Sequence, residues 1–113
     1  MDRDQAYLLD ILGAAKLAIS YVEGITLEKF LTDTQIQDSV IRRLEIIGEA
    51  AKRISDETKE SYSSVPWIEM ISMRNFMIHE YDDVDVSIVW ETVNRDLPVV
   101  ISLIEPFTPF KEQ

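Results

Sequence analysis

Apolar residues in this chain recur every three or four positions almost from end to end, and strand-like alternation is nearly absent. A side-chain period of about 3.6 gathers such residues into one stripe along a helix. A stripe of that kind is buried only by packing helix on helix. Three glycines are too few to break the chain into many short elements. The sequence therefore predicts an all-α bundle of four main helices with short connections.

The first helix is expected over about Asp4 to Val22, with Tyr7, Leu8, Ile11, Ala15, Ala18, Ile19 and Val22 as its stripe and Gly24 as its terminator. Thr26 is placed to cap a short helical turn, Leu27 to Leu31. A second long helix starts near Thr34, which forms a capping-box pattern with Gln37. Its stripe is Ile36, Val40, Ile41, Leu44, Ile47, Ala51 and Ile54. Ser55 to Val65 is polar and reads as a loop holding at most a frayed turn. Pro66 opens a third helix, Trp67 to about Glu80, with Ile68, Ile71, Phe76 and Ile78 among its apolar positions. Asp82-Asp83-Val84-Asp85 breaks it, and Asp85 caps a last helix, Val86 to Ile104. Pro98 is expected to kink that helix by removing the bond to the carbonyl of Asn94. Pro106 and Pro109 end the structured region. Two tryptophans and the apolar positions beyond one stripe predict a helix face left over for self-association, most simply in a two-fold dimer.

The length, 113 residues, is that of one domain, expected to span 1–113. Its hydrophobic fraction of 46% supplies a core without covalent staples. No cysteine is present, which removes disulfides, thiolate nucleophiles and thiolate metal sites and fits a reducing compartment. The apolar run from Leu97 to Ile104 is too short to cross a membrane, and the acidic start MDRDQAY does not read as a signal peptide. A cytoplasmic protein is expected. The net charge of −10 repels nucleic acid at long range and argues against a general coat protein. A local group of arginines can still hold a phosphate in such a chain, and the acidity suits a basic partner protein equally well.

The chemistry concentrates in one stretch, RNFMIHEY, which holds Arg74, Asn75, Tyr81 and the only histidine, His79. Imidazole titrates near neutrality, so it can both take and give a proton. A guanidinium is always charged and forms a fork that matches phosphate oxygens. On a helix Asn75 and His79 share a face, whereas Arg74 and His79 stand about 140° apart. That offset predicts a composite site at a dimer cleft, or a loosened helix end at His79. No carboxylates show metal-ligand spacing, so a metal-free route is expected. RNA brings its own nucleophile, the 2′-hydroxyl; cleavage then needs a base, an acid and a cation for the developing charge. His79 suits the first two tasks and Arg74 the third. Asn75 is expected to orient His79 or to bind a phosphate oxygen.

Plainer roles fit the same residues. A histidine near a helix C-terminus complements the helix dipole. An arginine on an acidic surface usually forms an ion pair, and Tyr81 can be an anchor with a wet tip. Arg42, Arg43, Lys52 and Arg53 are candidates to line an RNA groove. Alternatively they pair with Glu45, Glu49 and their neighbours; Arg42 is spaced to reach both of these glutamates.

RNFMIHEY resembles the R-x4-H-x-Y motif of the HepT toxins, a branch of the HEPN superfamily. VIRRLEIIGEAAKRI in the second helix resembles the family's middle helix, and Pro66-Trp67, Val89-Trp90 and Asp96-Leu97-Pro98 fit as well. The similarity spans nearly the whole chain; Ser72 departs from it, standing where Gly or Ala is expected. The resemblance implies a four- to five-helix up-down bundle of the HEPN type that dimerises through helix faces. It implies a metal-independent ribonuclease with no cofactor, the toxin of a prokaryotic toxin–antitoxin pair. Its partner would be an MNT-type nucleotidyltransferase antitoxin. Arg74 and His79 map onto the catalytic pair, and Tyr81 onto the tyrosine that accepts AMP from the antitoxin. Two readings compete: a non-catalytic helical module that only binds a nucleotidyltransferase, and the substrate-binding subunit of a two-chain nucleotidyltransferase.

Overall fold

Five of the described helices start on an oxygen-bearing side chain that answers an otherwise unpaired backbone N–H. The computed structural model describes residues 2–79 and 85–108, with backbone alone for 76–79. Helix α1 (Arg3–Val22) begins at Asp2, whose carboxylate accepts from the Gln5 N–H at 2.8 Å. Thr26 caps α2 (Leu27–Thr32) through the Lys29 N–H, as expected. Gly24, between the two, holds a φ of 77°, a left-handed value that ends α1 without Cβ strain. Helix α3 (Thr34–Arg53) starts one residue earlier than the capping-box reading has it. Asp33 is the cap, its carboxylate accepting from the Ile36 N–H at 3.0 Å, and Gln37 donates instead to the Phe30 carbonyl at 2.8 Å. A carboxylate outcompetes a hydroxyl here because it also complements the positive end of the helix dipole.

The polar stretch expected as a loop contains a full short helix, α4 (Asp56–Ser61), capped by Ser55. Pro66 precedes α5 (Trp67–His79), and Asp85 caps α6 (Val86–Glu91) through the Ser87 N–H at 2.9 Å. The kink expected at Pro98 takes another form. A π-helical segment, Thr92–Asp96, comes first, and α7 (Leu97–Ile104) follows with Pro98 in its first turn. The Leu97 N–H bonds to the Thr92 carbonyl, so the wider turn delivers Pro98 to a position where no N–H is needed. A single 3-10 turn, Glu105–Phe107, closes the described chain and contains Pro106. The expected break at Asp82-Asp83-Val84, the stop at Pro109, Tyr81 and the side chains of Phe76, Ile78 and His79 lie outside the described residues. Among the described residues no strand occurs.

Helix α3 is the central element. It packs on α1 along one side and on α5 along another, while α1 also meets α7 and α2 bridges α3 and α6. The core joins Leu8, Ile11, Ala15 and Ala18 of α1 to Val40, Leu44, Ile47 and Ala51 of α3, and takes in Val89, Val93, Leu97 and Ile104 from the C-terminal segment. The stripes expected for α1 and α3 are therefore the ones that face inward. Ile68 is the exception: expected among the apolar positions of α5, it is 76% exposed, and Trp67 and Met70 are buried in its stead. Phe30 tilts against Trp90 with centroids 5.3 Å apart, which ties α2 to α6.

Two contacts fix the relative positions of the helices. At the crossing of α3 and α5, a Cβ on Gly48 would fall 1.8 Å from the Arg74 Cβ and 2.9 Å from the Met70 carbonyl oxygen. The helices approach this closely only because position 48 has no side chain. Just past the C-terminal end of α3, Asp4 of α1 accepts from the Ser55 hydroxyl at 2.6 Å, the Thr58 hydroxyl and the Ser55 N–H at 3.1 Å. The Ser55 hydroxyl, then Thr58, hold the Asp4 carboxyl below its usual value, with further help from the Ser55 N–H and Lys59.

Two pairs of measurements test this account. Alanine is favoured over glycine inside a helix by about 1 kcal/mol. Gly13 has nothing within 4 Å of its would-be Cβ, so Gly13→Ala should raise the melting temperature by a few degrees. Gly48→Ala gains the same propensity but must part α3 from α5, and overpacking costs about 1–3 kcal/mol or more. Its melting temperature should fall, as followed by circular dichroism. For Asp4, the folded value lies below the unfolded one, so its bonds stabilise the fold above roughly pH 4. That contribution is lost as pH falls below 4 through the folded value. Asp4→Asn should flatten the acid side of the melting curve, but only in part, because the caps Asp33 and Asp85 are lowered in the same sense.

Candidate functional site

The helix that carries the motif is anchored at its start. The Trp67 indole donates to the Tyr62 carbonyl at 3.1 Å, Tyr62 stacks on Phe107 at 3.8 Å, and Met70 is buried against the core. From this fixed start the helical period carries Arg74 onto the side of α5 that meets Gly48. The close crossing pins the Cβ of Arg74, so its position is set by backbone rather than by loop geometry. Arg74 is half-buried. Its Nη1 donates to the Asn75 side-chain oxygen at 2.9 Å, and its Nε is shut away from solvent with no hydrogen-bond partner among the described residues. Asn75, expected to orient His79 or to bind phosphate, accepts from the guanidinium; its expected relation to His79 involves a side chain outside the described residues.

Arg74 opens onto a cavity of about 420 Å³ whose other walls are Glu49, Lys52 and Arg53 at the C-terminal end of α3. Of the basic residues singled out for RNA, Arg53 is therefore beside Arg74. Arg42 is 3.9 Å from Glu45 and 3.8 Å from Glu49, the pairs its spacing allows, and is largely exposed. Pairs so long and so wet contribute little to stability. Arg43 is half-buried and does not line the cavity. Glu49 and Gly48 carry no mark in the sequence that separates them from an ordinary helix surface and an ordinary weak spot. The first walls the site and the second permits it.

The register of α5 places positions 68, 72, 75 and 79 on one stripe, at spacings of four, three and four. Arg74 stands about 140° away from position 79 on the helix cylinder. Ile68 and Ser72 of that stripe line a second concavity, an apolar groove of about 700 Å³ shared with Ile88, Leu97 and Val99. Ile88 and Val99 are 51% and 54% exposed on its rim. Among the described residues no group of histidine and carboxylate side chains is arranged to hold a metal ion. No described helix is long and apolar enough to cross a membrane. Tyr81 lies outside the described residues.

Comparison with known proteins bears on this geometry. The model of the family described as "Ribonuclease HepT-like" matches residues 11–107, a span that takes in Gly48, Arg74, His79 and Tyr81. A Thermococcus cleftensis protein named "Probable ribonuclease HepT" is 46% identical over 92 residues, covering 81% of this chain and 84% of that one. The Methanocaldococcus jannaschii protein named "Putative RNase MJ1380" is 38% identical over 101 residues, covering 89% and 93%. A Caldanaerobacter subterraneus protein named "Putative RNase TTE0752" is 41% identical over 98 residues, covering 87% and 88%. No solved structure matches significantly.

Because the cavity depends on the crossing, its contents should respond to it. Asn75→Ala frees Arg74 Nη1 and, at a residue that is exposed, should change stability by less than about 0.5 kcal/mol, with little shift in melting temperature. The same change should lower any activity that depends on Arg74, which a paired melting and activity measurement separates.

Proposed function

The chain belongs to the ribonuclease HepT-like family, and from that footing we propose that it is a metal-independent endoribonuclease of the toxin type that works as a homodimer. The observation that carries the reading is Arg74. Its Cβ is held at the helix crossing, its guanidinium bonds only to a neutral amide among the described residues, and it lines a cavity with Lys52, Arg53 and Glu49. Nothing described neutralises it, which suits a group that waits for a phosphate.

In the proposed reaction the RNA 2′-oxygen attacks its own phosphorus. The bond to the 5′-oxygen breaks, leaving a cyclic phosphate and a 5′-hydroxyl. His79 takes the 2′-hydroxyl proton or protonates the leaving oxygen, and a second His79 from the other subunit allows both. Arg74 stabilises the charge that develops on the phosphorane oxygens. The strand runs past the end of α3 at Arg53, while Arg42 and Arg43 add longer-range attraction. The protein itself supplies every group, so no metal or cofactor takes part.

The dimer is proposed on the apolar groove, with a second copy of the chain as its occupant. Exposed Ile68, Ile88 and Val99 need cover, and the stripe from Ile68 to position 79 runs beside them. A two-fold axis there brings the two 79 positions toward one another. It also supplies what the 140° offset withholds from a single α5. The proposed regulator is an MNT-type nucleotidyltransferase antitoxin that transfers AMP to Tyr81. The adduct is a phosphodiester and would fill the phosphate place at Arg74. Both proteins act in the cytoplasm on this reading.

Purified protein should cut RNA in the presence of EDTA and leave cyclic-phosphate ends. His79→Ala and Arg74→Ala should each slow cleavage by roughly 10²-fold or more. Tyr81→Phe should preserve cleavage and abolish AMP transfer. Ile68→Glu should give a monomer by sedimentation with cleavage lost. Failure of the protein to cut any RNA would leave the non-catalytic binding module as the better account.

A further inference from the structure

The reaction above uses Arg74 and leaves Lys52 unassigned. We propose that the cavity bounded by Glu49, Lys52, Arg53 and Arg74 is a second phosphate subsite, which holds the internal phosphodiester adjoining the scissile one on a single-stranded RNA. This rests on the ribonuclease reading and refines it.

Charge is the first argument. The chain carries 21 acidic residues against 11 basic ones, yet three of the basic ones converge on this single cavity. Among the described residues, neither the Lys52 nor the Arg53 side chain makes a hydrogen bond or an ion pair, and both residues are exposed. Two cations in the last turn of α3 complement the helix dipole. That role explains their sign but not why they share a concave wall with a half-buried arginine from another helix. Arg74 is the second argument. Its only described bond is to the Asn75 amide, and its Nε is unpaired. An anion seated in the cavity gives the remaining terminal N–H groups of the guanidinium acceptors.

Size and the one acidic wall select the kind of anion. A volume of about 420 Å³ holds roughly fourteen waters at about 30 Å³ each, enough for a phosphate with its sugar. Glu49 is on the wall, and Arg42, 3.8 Å away, offsets its charge only in part. A singly charged diester tolerates that neighbour better than a terminal phosphate, whose charge approaches −2 at neutral pH. The subsite therefore takes the inside of a strand in preference to its end.

The test measures binding of fluorescein-labelled single-stranded RNA by anisotropy, across a salt series, with the full-length His79→Ala protein. Each phosphate contact on a single strand contributes about 0.7 to the slope of log affinity against log salt. Lys52→Ala and Arg53→Ala should each reduce that slope by about 0.7, and the double variant by about 1.4. In the protein with His79 intact, the same variants should raise KM and leave kcat at saturating RNA little changed. Lys29→Ala is the control, because Lys29 pairs with Asp33 at the far end of α3, roughly 28 Å away at 1.5 Å per residue. Lys52→Gln and Arg53→Gln repeat the measurement if an alanine variant melts early. Oligonucleotides with and without a 5′-phosphate should lose affinity equally. An unchanged slope in the double variant, from a protein that still cuts RNA, overturns the subsite alone. A loss confined to 5′-phosphorylated RNA reassigns the cavity to a strand end and also overturns it. If the parent protein neither binds nor cuts RNA, the ribonuclease reading falls and the subsite with it.

Discussion

The site depends on a missing side chain. At Gly48 the backbone of α3 lies so near α5 that the Arg74 Cβ occupies the space any other residue would need. This contact sets the distance between the two helices and the direction in which Arg74 leaves its backbone. It also sets the width of the cavity that Arg74 shares with Lys52 and Arg53. A glycine inside a helix carries a propensity cost of about 1 kcal/mol. Here that local cost is offset by a crossing that holds a charged side chain half out of water, where its electrostatic effect is stronger than on an open surface. A hydrogen-bond network next to the cavity acts on the same helix: Asp4 clamps the α3–α4 junction to α1, so α3 is held just beyond its cavity-bearing turn.

The electrostatics are local against an opposing background. A net charge of −10 repels an approaching polyanion, a repulsion that salt screens beyond about 10 Å at 0.1 M ionic strength. Inside that range the three cations around the cavity dominate. The expected consequence is slow encounter with firm local grip, the reverse of a protein that collects nucleic acid through a broad basic surface. Arg42 illustrates the difference. Its two long contacts with Glu45 and Glu49 leave it in the ordinary ion-pair balance of a solvated helix, while Arg53, eleven residues on, faces the cavity without a carboxylate partner.

Much of the fold was legible because helix packing writes itself as a period. The stripes on α1 and α3 face the core, and Thr26, Gly24 and Asp85 act as the local rules require. What was not legible has physical reasons. Asp33 and Thr34 are adjacent and both can cap, and only the geometry of the Phe30 carbonyl with Gln37 separates them. Helix α4 has no apolar stripe to betray it. Pro98 signals a disturbance, and the chain meets the constraint with a wider turn upstream, which the sequence does not mark. The motif singled out Arg74. It did not show that Asn75 would be the partner, since neighbouring residues on a helix do not ordinarily face each other and only the length of arginine closes the gap.

One helix, α5, is asked to satisfy two demands on different faces. Toward α3 it presents Met70 and Arg74, and that side must be tight. Toward α6 and α7 it presents Ile68 and Ser72, and that side is open and apolar. Isoleucine at 76% exposure is unfavourable for a lone soluble chain, since burying such a side chain contributes about 1.5–3 kcal/mol. The π-helical segment explains how the groove stays open. By widening one turn before Leu97, it adjusts the register of α7 so that Leu97 and Val100 turn inward while Val99 stays on the rim. The same α5 thus links a fixed guanidinium to an unfilled apolar surface within two turns. If the groove is where a second copy sits, assembly and the proposed phosphate site are coupled through one helix. Loosening either face should then be felt at the other without any change in the residues that touch RNA.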